Sequence, residues 1–306
     1  MVASSNLAIP TKFFLPSPLI LVTNDDGVHA PGIKALAAGL ASLGTVHVVA
    51  PDREVSACAQ SLTLKHPLRA ERVDERVFAV DGTPADCVNL ALVKLLPRRP
   101  DLVVSGINRG ANMGEDVFYS GTVGGAREGT FFGVPSIAMS LAVREAKDLD
   151  FAPAAAFAAR LAGLVLTKGL PERTLLNVNV PPGTPSGVAV TIQGRREHEG
   201  TIFEGLDPRR RTYYWIEEGK DHWISDEMSD IHAVRSGIIS VSPLQTDTTH
   251  HAVVGAFRAW LPALGAAERA SEEEARRKHV PDKPVDTEGP RGEAAALGDP
   301  PSRVIK

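Results

Sequence analysis

The sequence predicts an α/β protein: a doubly wound, mostly parallel sheet in three layers, with antiparallel hairpin material added toward the C-terminus. Two observations predict the layered sheet. Short apolar runs of buried-strand type recur at 19–23, 45–50, 101–105, 134–140 and 174–180, and continuous runs of this kind suit strands covered on both faces. Helical patterns separate most of these runs, the alternation that builds a parallel sheet. A third observation predicts the extension: from residue 187 onward, strand-like runs follow one another with no clear helix between them.

The first run is LILVT (19–23). Pro31 then opens a helix with Ile33, Leu36, Ala37, Leu40 and Leu43 on one face, and Gly44 ends it. TVHVVA (45–50) completes a strand–helix–strand unit, which implies a parallel pair and a right-handed crossover. Thr83-Pro84 is an N-cap and first-turn pair for a helix through Leu96. DLVVS (101–105) is the next strand; residues 121–132 read as a helix, 134–140 as a strand, Ala-rich 152–167 as a helix and TLLNVNV (174–180) as a strand. The result is Rossmann-like through about residue 180. Beyond it, VAVTIQ, RTYYWI and GIISVSPL alternate with polar, Gly- and Pro-bearing segments and read as hairpins joined to the main sheet.

Residues 1–17 are aperiodic and read as a loose extension, so the domain is expected at 18–250, with 187–250 as its hairpin region. Residues 266–306 are rich in Ala, Glu, Arg and Pro; after a short helix at 271–278 they read as a disordered tail.

The chain has 306 residues, 43% hydrophobic and 23% charged, which supports a large core and excludes disorder throughout. A net charge of -4 argues against a partner bound by bulk positive charge, so no nucleic acid is expected. Cys58 and Cys87 are too few for a disulfide scaffold or a four-thiolate zinc site; one bridge between them fits the count, but two reduced buried thiols are expected. No apolar run reaches the roughly 18 residues of a bilayer span. The stretch FFLPSPLILV (13–22) resembles a secretory signal, but two prolines interrupt it and it runs straight into Thr23-Asn24-Asp25-Asp26. A cytoplasmic protein without a membrane partner is expected.

Ligands of open α/β sheets bind beyond the carboxyl ends of the strands. Four polar loops follow the strands: Asn24-Asp25-Asp26-Gly27, the segment from Asp52 to Ser56, the segment from Gly106 to Asn112, and Tyr119-Ser120-Gly121-Thr122 at a helix start. Adjacent carboxylates Asp25 and Asp26 repel if both ionise, and a divalent cation resolves the repulsion. Mg²⁺ takes one or two carboxylates plus neutral oxygens, which Ser56 and Asn108 supply. An Asp-Asp pair standing alone also fits a turn and N-cap. Polar groups at three other strand ends favour the metal. Ser120-Gly121-Thr122 fits either an anion site at a helix N-terminus or an ordinary N-cap. The chain lacks a Walker loop, and Gly106-x-x-x-Gly110 is not a dinucleotide fingerprint. A metal and an anion cradle on one rim point to a phosphate ester as substrate.

These residues, in this order, resemble the SurE family of metal-dependent 5′-nucleotidases. The matching stretches include ILVTNDDGVHAPGIKAL (20–36), APDREVSACAQSLTL (50–64), GTPADCVNLAL (82–92), residues 100–140, LLNVNVP (175–181) and SDIHAVRSGIISVSPLQTD (229–247). The resemblance covers about residues 19–250. It implies a phosphatase acting on nucleoside 5′-monophosphates, with 3′-nucleotides and short polyphosphate as further substrates of some members, and one Mg²⁺ or Mn²⁺ per subunit. It places the metal ligands at Asp25, Asp26, Ser56 and Asn108. It places phosphate contacts at Asn112, Ser120, Gly121 and Thr122, and it implies a homodimer or homotetramer that exchanges C-terminal segments. The family also places an Asp and a His near the active site, here Asp230 and His232. His232 is then a donor to the leaving ribose oxygen, or else a surface imidazole beside a helix cap. Water with a lowered pKa, or an aspartate acting as base or nucleophile, remain open as routes of attack.

Two rivals fit less well. A phospho-receiver module places an acidic pair after its first strand, but it needs a phospho-accepting Asp at a later strand end, where this chain has Ser105-Gly106-Ile107-Asn108. A haloacid-dehalogenase-type phosphatase needs D-x-D, which Asn24-Asp25-Asp26-Gly27 does not supply. Tyr213-Tyr214-Trp215 fits hairpin packing at a subunit interface or stacking on a nucleobase.

Overall fold

A computed structural model describes residues 17–143, 149–197, 201–217 and 222–264. Residues 1–16 of the expected loose segment at 1–17, the expected helix at 271–278 and the expected tail at 266–306 lie outside these residues. The first elements are β1 (Leu19–Thr23), α1 (Pro31–Leu40), β2 (Thr45–Pro51), β3 (Ala70–Asp74), β4 (Val77–Val80), α2 (Pro84–Leu90) and β5 (Leu102–Arg109). A short 3-10 turn, Gly114–Phe118, leads to α3 (Gly121–Phe131), β6 (Ser136–Leu141), α4 (Ala152–Lys168) and β7 (Thr174–Val180). The rest comprises β8 (Gly187–Val190), β9 (Arg196–Glu197), β10 (Thr201–Leu206), β11 (Thr212–Glu217), β12 (His222–Trp223), α5 (Asp230–Arg235), β13 (Ile238–Gln245) and α6 (His251–Arg258). Two units divide at residue 248, and α6 belongs to the second.

Nine strands form one sheet in the order β3-β4-β2-β1-β5-β6-β7-β13-β8. β4, β2, β1, β5, β6 and β7 run parallel. The chain builds outward from β1 on one side through β2 and β4, then returns to lay β5, β6 and β7 on the other. The switch point therefore falls between β1 and β5, where a crevice opens at the strand ends. Side-chain alternation divides the core. Ile20, Val22, Val104 and Met139 pack with Leu36 and Leu40 of α1 and Phe157 of α4 on one face. Leu21 and Val103 pack with Cys87 and Val88 of α2 on the other, where Ala138 meets Val123 and Ala126 of α3. Truncating a fully buried leucine such as Leu36 to alanine costs about 2–5 kcal/mol.

The expected caps are in place. Thr83 accepts from the Asp86 N–H while Asp86 accepts from the Thr83 N–H, a reciprocal box at the start of α2. Ser120 caps α3 by accepting from Val123 N. Cys58 and Cys87 are free thiols. Among the described residues, no helix is long and apolar enough to cross a membrane.

The C-terminal extension differs in detail from the sequence reading. The 238–245 run joins the main sheet as β13, antiparallel to β7. The run at 187 joins at the edge as β8, but parallel to β13, because a long excursion separates the two and permits a crossover. Among the described residues, RTYYWI pairs only with β10, in a two-stranded sheet of its own. This arm exposes apolar side chains on both faces, including Ile202, Leu206, Tyr214, Trp215 and Ile216. The short pair β9–β12 forms its stem.

Candidate active site

The end of β1 delivers two carboxylates to the switch point, and the local structure treats them differently. Asp25 is buried. Its Oδ2 accepts from Thr122 N at 2.9 Å and its Oδ1 from the Thr122 hydroxyl. The amino end of α3 thus already faces an anion, and that anion is Asp25, placed where the helix dipole favours negative charge. Burial holds the Asp25 carboxyl above the usual carboxylate range, against the hydrogen bonds from Thr122. Asp26 accepts from Arg109 N at 3.1 Å. Its carboxyl is pushed up to about 6, first by burial and then by the charge of Asp25. Among the described residues, no Lys, Arg or His side chain forms an ion pair with either carboxylate.

The neighbouring loops bring neutral oxygens. β5 carries an irregularity relative to β6 between Ser105 and Asn108, a bulge that re-aims the strand end. Asn108 donates its amide nitrogen to Gly110 O at 3.0 Å, leaving its carbonyl oxygen as the uncommitted atom. Ser56, after β2, donates to Glu54 Oε1 at 2.8 Å. Asp25, Asp26, Ser56 and Asn108 all line one cleft of about 930 Å³. This set of two carboxylates, a hydroxyl and a carboxamide is made only of hard oxygen donors, which suits Mg²⁺ or Mn²⁺ and not a soft-metal site. Among the described residues, no group of three His, Cys, Asp or Glu side chains forms a metal cluster.

Of the expected phosphate contacts, Asn112 and Ser120 line the cleft. Asn112 is fixed by its backbone N–H to Asn179 Oδ1 at 2.8 Å and its amide to Ser140 Oγ at 2.8 Å. Gly121 and Thr122 do not line the cleft. They stand behind Asp25: Thr122 has spent both donors on it, and a Cβ at Gly121 would lie 2.9 Å from its Oδ2. Their placement supports a hold on the carboxylate. His232 is exposed on α5 and is not part of the cleft lining, so the structure does not bring it to the carboxylates. Asp230, its neighbour, is fully buried.

Sequence reasoning passed over several lining residues. Arg109 and Glu54 sit inside motifs that were read for Asn108 and Ser56. Tyr119, Leu149 and Phe151, with Ala30 and Pro31, give the cleft an apolar wall beside its polar one. The aromatic preceding the Ser120 cap was the signal available for Tyr119. Nothing local marked Phe151, which is ordinary helix-start material by itself.

Known proteins resemble this chain in sequence and fold. The family model described as Survival protein SurE matches residues 20–200. The 5′-nucleotidase SurE of Geobacter metallireducens is 53% identical over 244 residues, covering 79% of this chain and 96% of that protein. Its namesake from Geobacter sulfurreducens is 53% identical with 79% and 93% covered. The crystal structure of the SurE protein from Aquifex aeolicus superposes with a TM-score of 0.71 at 44% identity, covering 79% of this chain and 99% of that one. With the motifs, the sheet order and these likenesses in agreement, the chain belongs to the SurE family.

Proposed function

We infer that the protein is a divalent-metal-dependent 5′-nucleotidase that hydrolyses nucleoside 5′-monophosphates to nucleoside and inorganic phosphate. The observation that carries this reading is the Asp25–Asp26 pair, desolvated among oxygen donors at the switch point and, among the described residues, without a salt-bridge partner. Relatives at about half identity bear the name 5′-nucleotidase SurE. The residues present fit one Mg²⁺ or Mn²⁺, held by Asp25, Asp26, Ser56 and Asn108. When bound, the cation supplies charge neutralisation on the transferred phosphoryl group.

This chain's own residues do the rest. Thr122 fixes both oxygens of Asp25. Arg109 adds positive charge at the cleft wall, while Asn112 and Ser120 orient the phosphate there. Tyr119, Leu149 and Phe151 take the nucleoside side and limit water. Hydrolysis cleaves the bond from phosphorus to the ribose oxygen; water supplies the hydroxyl to phosphate and the proton to the nucleoside.

The test is phosphate release from a panel of 5′- and 3′-nucleotides and short polyphosphate, with Mn²⁺ or Mg²⁺ and with EDTA. Metal-dependent release that EDTA abolishes and added metal restores is the expected result. Folded protein that releases nothing with any nucleotide or metal overturns the assignment.

The same reading extends to assembly as a homodimer or homotetramer with exchanged C-terminal segments. Two observations support it. The arm β10–β11 is apolar on both exposed faces. In the second unit, α6 buries none of its residues, and Phe257 and Trp260 meet edge to face at 4.6 Å while staying exposed. Apolar patches of this kind mark association surfaces.

A further inference from the structure

Gly114 opens the 3-10 turn that leads to Ser120 and stands two residues after Asn112. Its peptide is gripped from both sides. The Gly114 N–H donates to Asp230 Oδ2 at 3.0 Å, and the Gly114 carbonyl accepts from Gln193 Nε2 at 2.9 Å. The other oxygen of Asp230 accepts from Gly194 N at 2.9 Å and from Ile231 N at 2.8 Å. Asp230 is fully buried, and each of these partners is a backbone amide. A buried carboxylate is costly to place, and charge-assisted bonds to amides are what offset the cost.

The gripping residues flank the β9–β12 stem of the hairpin arm. Asp230 N donates to Ile192 O at 2.9 Å, Ile192 N to Met228 O at 3.0 Å, and Ile224 N to Arg195 O at 3.0 Å, so the two sides of the stem form one block. Trp223 of β12 lies over Gly114. That residue has φ +53, and a Cβ there would come within 3.0 Å of Trp223 Cζ3 and 3.1 Å of Gly194 O. Glycine lets the stem approach this closely. From the gripped segment, Asn112, Asp116, Tyr119 and Ser120 line the cleft. The metal-holding residues come from other segments, after β1, β2 and within β5.

We propose that Asp230 and Gln193 are positioning residues for hydrolysis: by fixing the Gly114 peptide they set the phosphate-side wall of the cleft and couple the hairpin stem to substrate binding. This rests on the nucleotidase reading. Because the metal-holding residues are built elsewhere, the coupling acts on the nucleotide and leaves metal affinity alone. A misplacement of this wall by about 1 Å is enough for a hundredfold effect on rate.

Full-length Asp230→Asn and Gln193→Ala proteins test it. KM and kcat are measured at saturating Mn²⁺, and Mn²⁺ affinity by calorimetry without nucleotide. Asp230→Asn is expected to lower kcat/KM by about tenfold or more, and Gln193→Ala by about threefold, with Mn²⁺ affinity within about twofold of the parent in both. Values of kcat/KM within about twofold of the parent in both variants overturn the proposal. So does a loss matched by an equal loss of Mn²⁺ affinity, which marks general damage to the fold. If Asp230→Asn does not fold, Gln193→Ala decides by the same criteria. A second readout needs no turnover. In a Trp215→Phe, Trp260→Phe protein, Trp223 emission is expected to change when inorganic phosphate is added with Mn²⁺. Constant emission, with phosphate binding seen by calorimetry, overturns the coupling. A parent protein that hydrolyses nothing sinks the nucleotidase reading instead, while the emission arm still reports on the coupling.

Discussion

The ends of β1 and β5 and the arm β10–β11 depart from an ordinary protein surface in opposite directions. At the strand ends, carboxylates are withdrawn from water and held by named donors: Thr122 on Asp25 and the Arg109 amide on Asp26. On the arm, Phe203 faces Trp215 and Ile202 faces Ile216 across a two-stranded ribbon, and all four side chains remain in solvent. An isolated two-stranded ribbon is marginal in water. One region spends stability on charge, the other on exposed apolar area. The first is charge withdrawn from water, the second apolar surface left in it. Both costs are carried by the same sheet, whose buried core tolerates them.

The comparison breaks most visibly at Asp25. Asp25→Asn removes the charge but keeps the shape, and metal-dependent phosphate release is expected to fall by about a thousandfold or more, with circular dichroism unchanged. Release that survives points to another catalytic centre. Thr122→Ala removes the hydroxyl that holds Asp25; kcat is expected to fall about tenfold to a hundredfold, while Thr122→Ser stays near the parent. Equal losses in the alanine and serine proteins would show that the methyl, not the hydrogen bond, matters.

A pH series sharpens the charge side. Burial pushes the Asp26 carboxyl up to about 6 in the folded chain, above its ordinary value of 3.8. The folded state then holds more protons than the unfolded one between these values, so Asp26 lowers the stability of metal-free protein above about pH 6, and the penalty fades as pH falls through that value. Asp26→Asn is expected to raise the stability of EDTA-treated protein by about 1–2 kcal/mol at pH 8, after allowance for solvent screening, and by nothing measurable near pH 4. Urea melts at the two pH values check this, and a gain independent of pH would remove the charge argument. The smallest effect belongs to the arm. Ile216→Glu, at a side chain 89% exposed, is expected to change stability by less than about 0.5 kcal/mol while lowering the mass seen by light scattering. An unchanged mass would separate the arm from assembly.

Much of this was legible in the sequence for a physical reason. β1, β2, β5 and β7 announce themselves because strands buried on both faces must be apolar at nearly every position, and α2 announces itself through the Thr83-Pro84 cap. The four oxygen-donor residues that line the cleft, Asp25, Asp26, Ser56 and Asn108, were legible because each follows or ends such a strand. β3 was not: AERVD is exposed along its whole length and carries no apolar alternation. Nor was the true partner of Thr122, since Asp25 lies 97 residues away and only the folded sheet brings them together. His232 shows the limit of a motif, which fixes a residue in the chain but not the side of a short helix on which it emerges; here it emerges into solvent. The Asp230 grip on Gly114 spans 116 residues and left no local mark.

The central place of β1 has a consequence for the life of the nascent chain. Its apolar residues pair with β2 and with β5, whose first partner of Ile20 is Leu102. During synthesis, β1 emerges early and waits for some eighty further residues before its second neighbour exists. Until then LILVT is a bare, adhesive edge, and pairings this remote in sequence are slow to form. The carboxylates share that delay: Asp25 meets its fixing threonine only after α3 has left the ribosome. The chain thus completes the pocket around Asp25 late, when the sheet around β1 is already closing.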